Sequence, residues 1–560
     1  MMRSQFSQIF SFRWLAPVTS LTLLGTLAWQ SWAQAQTPQN PTLEIGIVQR
    51  FGRDDAETLV LEPLPGDQLT VQFKTEDQEE TLTTNQVVLD TALRDLADPS
   101  LKEWVVLSTH RSFESAEDSA HQWQQRGIET EIAQPDNWHV WAKRDVYNTP
   151  LLRRLLQREL QAAGFQDVFI ASNLRQSVPK AAAIANGFRY NRDQLSITTQ
   201  NQRVRVIRKI GNRQETVRVY GGNLRLQPNA YGTYTLVNLV PIETYLRGVV
   251  PYEIGLGAPP TTIEAQAVLA RTYVLRNLRR FEIDNYQLCA DTQCQVYRGL
   301  SGAADVSDRA IAATQGLVLT YQNELIDALY SSNTGGVTAA FSDVWNGPDR
   351  PYLQPVVDSV LGSWNLSQRP LDNDANLKAF LALETGFNEE TWDTFRWRED
   401  GSLTEIAQDL REYLQARSHP LANFTQVQRL VVTERASSGR VQILEIATDL
   451  GVVTLEKDEI LRALSTPLGL LFYTEGLYEQ PLGATEPQLK GYRFIGGGFG
   501  HGVGMSQTGA YNLGDLGWSS DRILQFYYPG TELQPISDQL VLWRDPYQVS
   551  DPAASQNATP

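Results

Sequence analysis

The 560-residue chain has two cysteines, three methionines and five histidines. Two cysteines, Cys289 and Cys294, cannot make a disulfide framework, so apolar cores must hold the fold. The histidines form no H-x-x-E or H-E-x-x-H pair, which excludes the usual helix-borne zinc hydrolase site. Basic charge is also short, 48 residues against 64 acidic. So acidic a surface repels nucleic acid and anionic lipid, and no nucleic-acid partner is expected. No apolar run is long enough for a stable membrane anchor. The best candidate, Leu15 to about Ala28, falls short of the roughly 20 residues a spanning helix needs.

That run follows Arg3 and Arg13 and ends at Ala33-Gln34-Ala35, a small-x-small pattern. It predicts a secretory signal peptide over 1–35, cut after Ala35, with an uncleaved anchor as the alternative. The chain is thus expected to be exported, to the periplasm or cell envelope. Taking Arg3 and Arg13 from the 48 basic residues leaves 46 against 64 acidic ones, so the formal charge falls from −16 to −18.

With 42 % hydrophobic and 9 % aromatic residues the chain can build real cores, and the patterning predicts an α+β class. Short alternating segments predict a β-rich N-terminal section over 42–95. From 101 to 172 the order is WVVLSTH strand, SAEDSAHQWQQRG helix, IETEIAQ and WHVWAKR strands, TPLLRRLLQRELQAAGF helix and DVFIAS strand. This β-α-β-β-α-β order is the ferredoxin-like plan. A linker rich in Ala and Asn (Ser177 to Asn186) leads to a β-rich domain with packed helices over 190–545. Its long helix is predicted over Thr261 to Phe281, opened by a Thr261/Glu264 capping box. A disordered tail is expected over 546–560.

One stretch, GGGFGHGVGMSQTGA (Gly496 to Ala510), sets His501 among the six glycines of Gly496 to Gly504. So many glycines give up local stability for backbone geometry, which usually marks a site. A Ser-His-Asp hydrolase is excluded, because GVGMSQTG lacks the G-x-S-x-G spacing.

Together with PIETYLRGVVPYE, EAQAVLARTYVL, CADTQCQVYRG, ALYSSNTGGVTAAFSDVW and ILQFYYPG, this stretch resembles the stage II sporulation protein D (SpoIID/LytB-type) family over most of Gln194 to Pro535. The resemblance implies an exported lytic transglycosylase, which splits the MurNAc–GlcNAc bond of peptidoglycan glycan strands without water. The single acid of that family maps onto Glu253. The chemistry wants such a group: a sheltered carboxyl protonates the leaving oxygen, then accepts a proton as the C6 hydroxyl closes a 1,6-anhydro ring. A helix-start carboxylate is the alternative role for Glu253, and Glu243 is read as structural. The resemblance further implies substrate contacts from Gln266, Arg271, Tyr330, Ser331, His501, Ser506 and Gln507, with an internal ion pair as the alternative for Arg271.

Some relatives bind zinc through a cysteine pair in D-T-H-C, but this chain reads D-T-Q-C, with Gln293. No cofactor is therefore expected. In an exported chain the pair is read as a local disulfide, with zinc on another ligand or free thiols as alternatives.

The 101–172 segment resembles a SPOR domain, a peptidoglycan-binding family, with Trp104, Trp138 and Trp141 as glycan contacts; an inert spacer is the alternative. Excising the segment is expected to weaken retention on peptidoglycan and spare cleavage. A rival reading is a non-catalytic enhancer of a cell-wall amidase, the role given to LytB-type relatives.

Overall fold

Strict alternation of apolar residues builds two large sheets. In Leu69–Thr75 the residues Leu69, Val71 and Phe73 point inward, and in Leu195–Thr199 so do Leu195 and Ile197. The computed structural model describes residues 39–546 apart from 76, 77, 212, 418, 481 and 483–485. The signal-peptide segment and the tail from 547 onward lie outside the described residues.

The first sheet has the order Leu288–Cys289, Thr42–Phe51, Tyr234–Pro241, Asn223–Pro228, Leu195–Thr199, Leu69–Thr75, Gln78–Thr84. The second runs Arg213–Gly221, Arg203–Ile210, Glu57–Pro63, Val87–His110, Trp138–Ala142, Thr130–Ala133, with Phe169–Ala185 also paired to Val87–His110. Inner residues of both, such as Ile45, Leu61, Val206 and Leu236, share one core. The class is mixed α+β.

This wiring corrects two expected boundaries. The 42–95 section is not separate, since Thr42–Phe51 pairs with Tyr234–Pro241, and Glu57–Pro63 with Arg203–Ile210. Ser177 to Asn186 is not a linker either: Phe169–Ala185 is one strand paired with Val87–His110, for example Asp90 with Ala182. Its alanines show no alternation of polarity, so the strand was hidden from a periodicity argument.

The helix Pro260–Arg276 lies at the centre of the molecule. Every residue from Ala265 to Arg276 is buried, and small alanines let neighbouring elements close in on all sides. Two of its buried polar side chains have partners: Thr262 Oγ1 donates to the Ala510 carbonyl (2.8 Å), and Arg276 pairs with Asp327 (3.2 Å). The expected capping box is absent. Pro259 is the N-cap, and Glu264 instead accepts from Ser520 Oγ at 3.0 Å.

Within 101–172 the strand neighbours are antiparallel in the order Phe169–Ala185, Val87–His110, Trp138–Ala142, Thr130–Ala133. The helices Phe113–Gln125 and Pro150–Ala162 share a core with Val105, Leu107, Trp138 and Val140. Val237, Phe281 and Tyr286 belong to that same core. A row of rings, Phe113, Trp138, Phe281 and Tyr286, each 4.9–5.2 Å from the next, crosses from the segment into the rest of the chain. Two ion pairs, Glu114–Arg280 and Glu117–Arg279, clamp the first helix in place.

The tryptophan assignment is thereby corrected. Trp138 and Trp141 are each 1 % exposed. Trp138 lies under the helices, and Trp141 on the opposite face is covered by Trp104 and Tyr231, with ring centroids at 4.9 and 6.0 Å. Half-buried Trp104 is engaged in that stack. Neither Trp138 nor Trp141 offers an open ring face to a sugar.

Candidate functional site

Glu253 ends the single helical turn Val250–Glu253 and points into a cleft of about 670 Å³. Its Oε1 accepts the Val296 N–H at 2.6 Å. Burial pushes its carboxyl above the ordinary 4.5, while the Val296 amide and the Tyr330 hydroxyl pull it partly back. A hydrogen-bond chain stands behind it: Tyr245 Oη donates to Gln295 Oε1 (3.2 Å), and Gln295 Nε2 donates to Tyr330 Oη (3.1 Å). Tyr330 is thus left to direct its own hydroxyl at Glu253. The arrangement holds a carboxyl that keeps its proton to a higher pH than an exposed glutamate would and can give it to a bound ligand.

The glycine-rich loop forms the facing edge. Gly504 has φ +75°, and a Cβ there would sit 1.9 Å from the Leu329 carbonyl oxygen, so only glycine lets the loop lie against the Tyr330 strand. Gly335, at φ +73°, would meet the Gly497 carbonyl carbon at 2.5 Å. The two segments are stitched by Tyr330–Met505 and Ser331–Ser506 pairing and by reciprocal bonds between Asn333 and Phe499.

His501 lines the cleft with its ring 5.0 Å from that of Trp345. Its Nδ1 accepts the Val503 N–H (3.0 Å), which leaves Nε2–H to donate to the Tyr330 carbonyl. Burial lowers the imidazole to about 4, so it is neutral at pH 7. It holds the loop and the Tyr330 strand together and offers an uncharged wall to the ligand.

The remaining expected contacts divide. Tyr330, Ser331 and Gln507 line the cleft with Glu253. Gln507 Nε2 donates to the Glu253 carbonyl at 2.9 Å and approaches Gln266 Oε1 at 3.3 Å. Gln266 is fully buried behind Gln507 and does not reach the cleft. Arg271 is corrected outright: it is 0 % exposed and makes a two-bond pair with Glu243, both at 2.8 Å, plus a bond to the Leu317 carbonyl. Burying a guanidinium requires such a partner, which also settles Glu243 as structural. Ser506 is corrected too. Its Oγ caps the helix Gln507–Asp515 through the Gly509 N–H (3.0 Å) and donates to Glu389, away from the cleft.

Cys289 and Cys294 form a disulfide, and Gln293 Oε1 receives the Trp138 indole N–H at 3.3 Å. A zinc set needing both thiolates and a histidine at 293 does not fit these residues. The disulfide closes the short loop that carries Gln295 and Val296 to Glu253. Replacing both cysteines with serine is expected to cost about 2 kcal/mol, because a loop this short loses little closure entropy. Thermal melts should drop while turnover at low temperature stays within a few-fold and is unmoved by chelator; chelator-sensitive turnover would reverse this account.

Sequence reasoning missed several residues. Gln295 and Val296 lie in the quoted CADTQCQVYRG motif, but nothing in their type marks them. Glu389, in the least legible stretch, accepts from Thr334 N (2.6 Å), Gly336 N (2.6 Å) and Ser506 Oγ, and so joins the two glycine segments. Arg111 to Glu114 and Asp458 also form part of the cleft wall. Burial pushes Asp458 up to about 7.

Comparison with known proteins matches residues 230–321 to the stage II sporulation protein family and residues 339–504 to a domain of unknown function. Glu253 and Val296 come from the first match, His501 and Asp458 from the second, so the cleft lies at their junction. The chain is 27 % identical over 355 residues to an amidase enhancer of Bacillus subtilis, covering 57 % of this chain and 48 % of the relative. It thus spans about half the length of that relative. It is 27 % identical over 330 residues to stage II sporulation protein D of Bacillus subtilis, covering 55 % and 80 %, and 26 % identical over 312 residues to that of Bacillus amyloliquefaciens, covering 53 % and 75 %.

Proposed function

We propose, from the premise that this chain belongs to the SpoIID/LytB family, that it cleaves the glycan backbone of peptidoglycan as a lytic transglycosylase with Glu253 as its single acid and base. The family supports a cell-wall-related role. The finer reading is carried by one observation: a carboxyl held above its ordinary range by burial, fixed by a backbone N–H and a tyrosine, at the edge of a cleft large enough for sugars.

In this reading Glu253 protonates the glycosidic oxygen as the bond breaks, then takes the C6 hydroxyl proton as O6 closes on C1. No cofactor takes part. The enzyme acts on the exported side of the membrane; among the described residues no helix is long and apolar enough to span one. The 101–172 segment resembles a SPOR domain in element order, but its buried Trp138 and Trp141 present no open ring face for a sugar to stack on.

The test is digestion of purified glycan strands with mass spectrometry of the products. Ends bearing 1,6-anhydro-MurNAc are expected, and reducing ends would mean hydrolysis by water. The name of the Bacillus subtilis amidase enhancer supports a second reading, in which this protein stimulates a separate amidase. Intact glycan strands together with faster stem-peptide release by an added amidase would favour that one.

A further inference from the structure

We infer that the cleft continues over the 101–172 segment, and that this extension binds the sugars of the same glycan strand lying beyond the bond held at Glu253. The inference rests on the glycan reading above. A second cavity of about 280 Å³ is lined by Gln134, Asp136, Asn137, Arg462 and the buried edge of Trp138, and shares Arg111, Gln293 and Leu461 with the main cleft. The shared residues place the two cavities side by side. Alone, the second cavity is at the small end for a ligand site, which suits a continuation better than a separate pocket.

Its chemistry fits a polar, weakly charged polymer. Among the described residues the side chains of Gln134 and Asn137 have no protein hydrogen-bond partner, and both carry a donor and an acceptor for hydroxyl and acetamido groups. Asp136 is neutralised by Arg53 at 3.0 Å, and Arg462 has Glu459 at 3.7 Å. At the junction Arg111 donates to the Asp458 carbonyl at 3.3 Å, and Asp458 Oδ2 is buried without any partner.

The experiment uses the full-length Glu253→Gln protein, so that nothing is turned over, and titrates it calorimetrically with peptide-free GlcNAc–MurNAc oligomers of four and eight sugars. The octasaccharide is expected to bind about tenfold tighter. Adding Gln134→Ala and Asn137→Ala, both in the extension only, should collapse that ratio toward one and leave tetrasaccharide binding within twofold. Equal binding of both lengths, or a length preference that survives the two substitutions, overturns the extension and leaves the reading at Glu253 standing. No binding of either oligomer overturns both.

Discussion

Glu253→Gln is expected to lower strand cleavage by roughly 10²–10⁴-fold, or about 3–6 kcal/mol of transition-state stabilisation, with the fold intact. The amide keeps an oxygen for the Val296 N–H and loses only the titrating proton. The carboxyl's folded pKa lies above its unfolded value, so its ionised form is penalised by folding at neutral pH. The glutamine protein should therefore melt at the wild-type temperature or slightly above it. In the wild type, cleavage should fall as the pH rises through the raised pKa, because the first step needs the protonated form. Any residual rate in the variant should lack that limb. Wild-type turnover in the variant would remove Glu253 from the chemistry, whereas a lowered melting temperature would show that the loss is merely structural.

Deleting residues 101–172 is expected to abolish folding, and with it all cleavage, which reverses what the sequence alone suggests. The cut severs Val87–His110 and Phe169–Ala185 and removes Trp138 and Phe113 from a core that also holds Phe281 and Tyr286. Losing one large buried ring costs about 3–5 kcal/mol, against a total stability of about 5–15 kcal/mol for an ordinary domain. The deletion also strips buried Arg280 of Glu114 and opens the cleft wall formed by Arg111 to Glu114. Circular dichroism and thermal melting of the shortened protein check the first loss; a soluble, cooperatively melting protein that still cleaves short glycans would disprove the wall.

The correct expectations and the corrected ones differ in kind. Helices Phe113–Gln125 and Pro150–Ala162 and strand Trp138–Ala142 follow from local period, as does the placing of Trp138 and Trp141 on opposite faces. Trp141 defeats the same argument, since alternation assigns it to the other face and cannot say that Trp104 and Tyr231 will cover that face. Arg271 and Ser506 sit in family motifs and looked like cleft residues. The partners that draw them inward, Glu243 and Glu389, are 28 and 117 positions away in the chain.

By itself the sequence determined the α+β class, the order of the motifs, the place of the Glu253 carboxyl in its motif, the glycine loop around His501 and the proximity of Cys289 to Cys294, because each depends on residue type and short spacing. Only the tertiary structure decided that Gln295 and Tyr330 steady the acid, that His501 is held neutral, that Arg271 is a buried strut, and that the 101–172 segment is a wall of the cleft. Those depend on which surface covers which, and burial and hydrogen-bond partnership are settled by long-range packing.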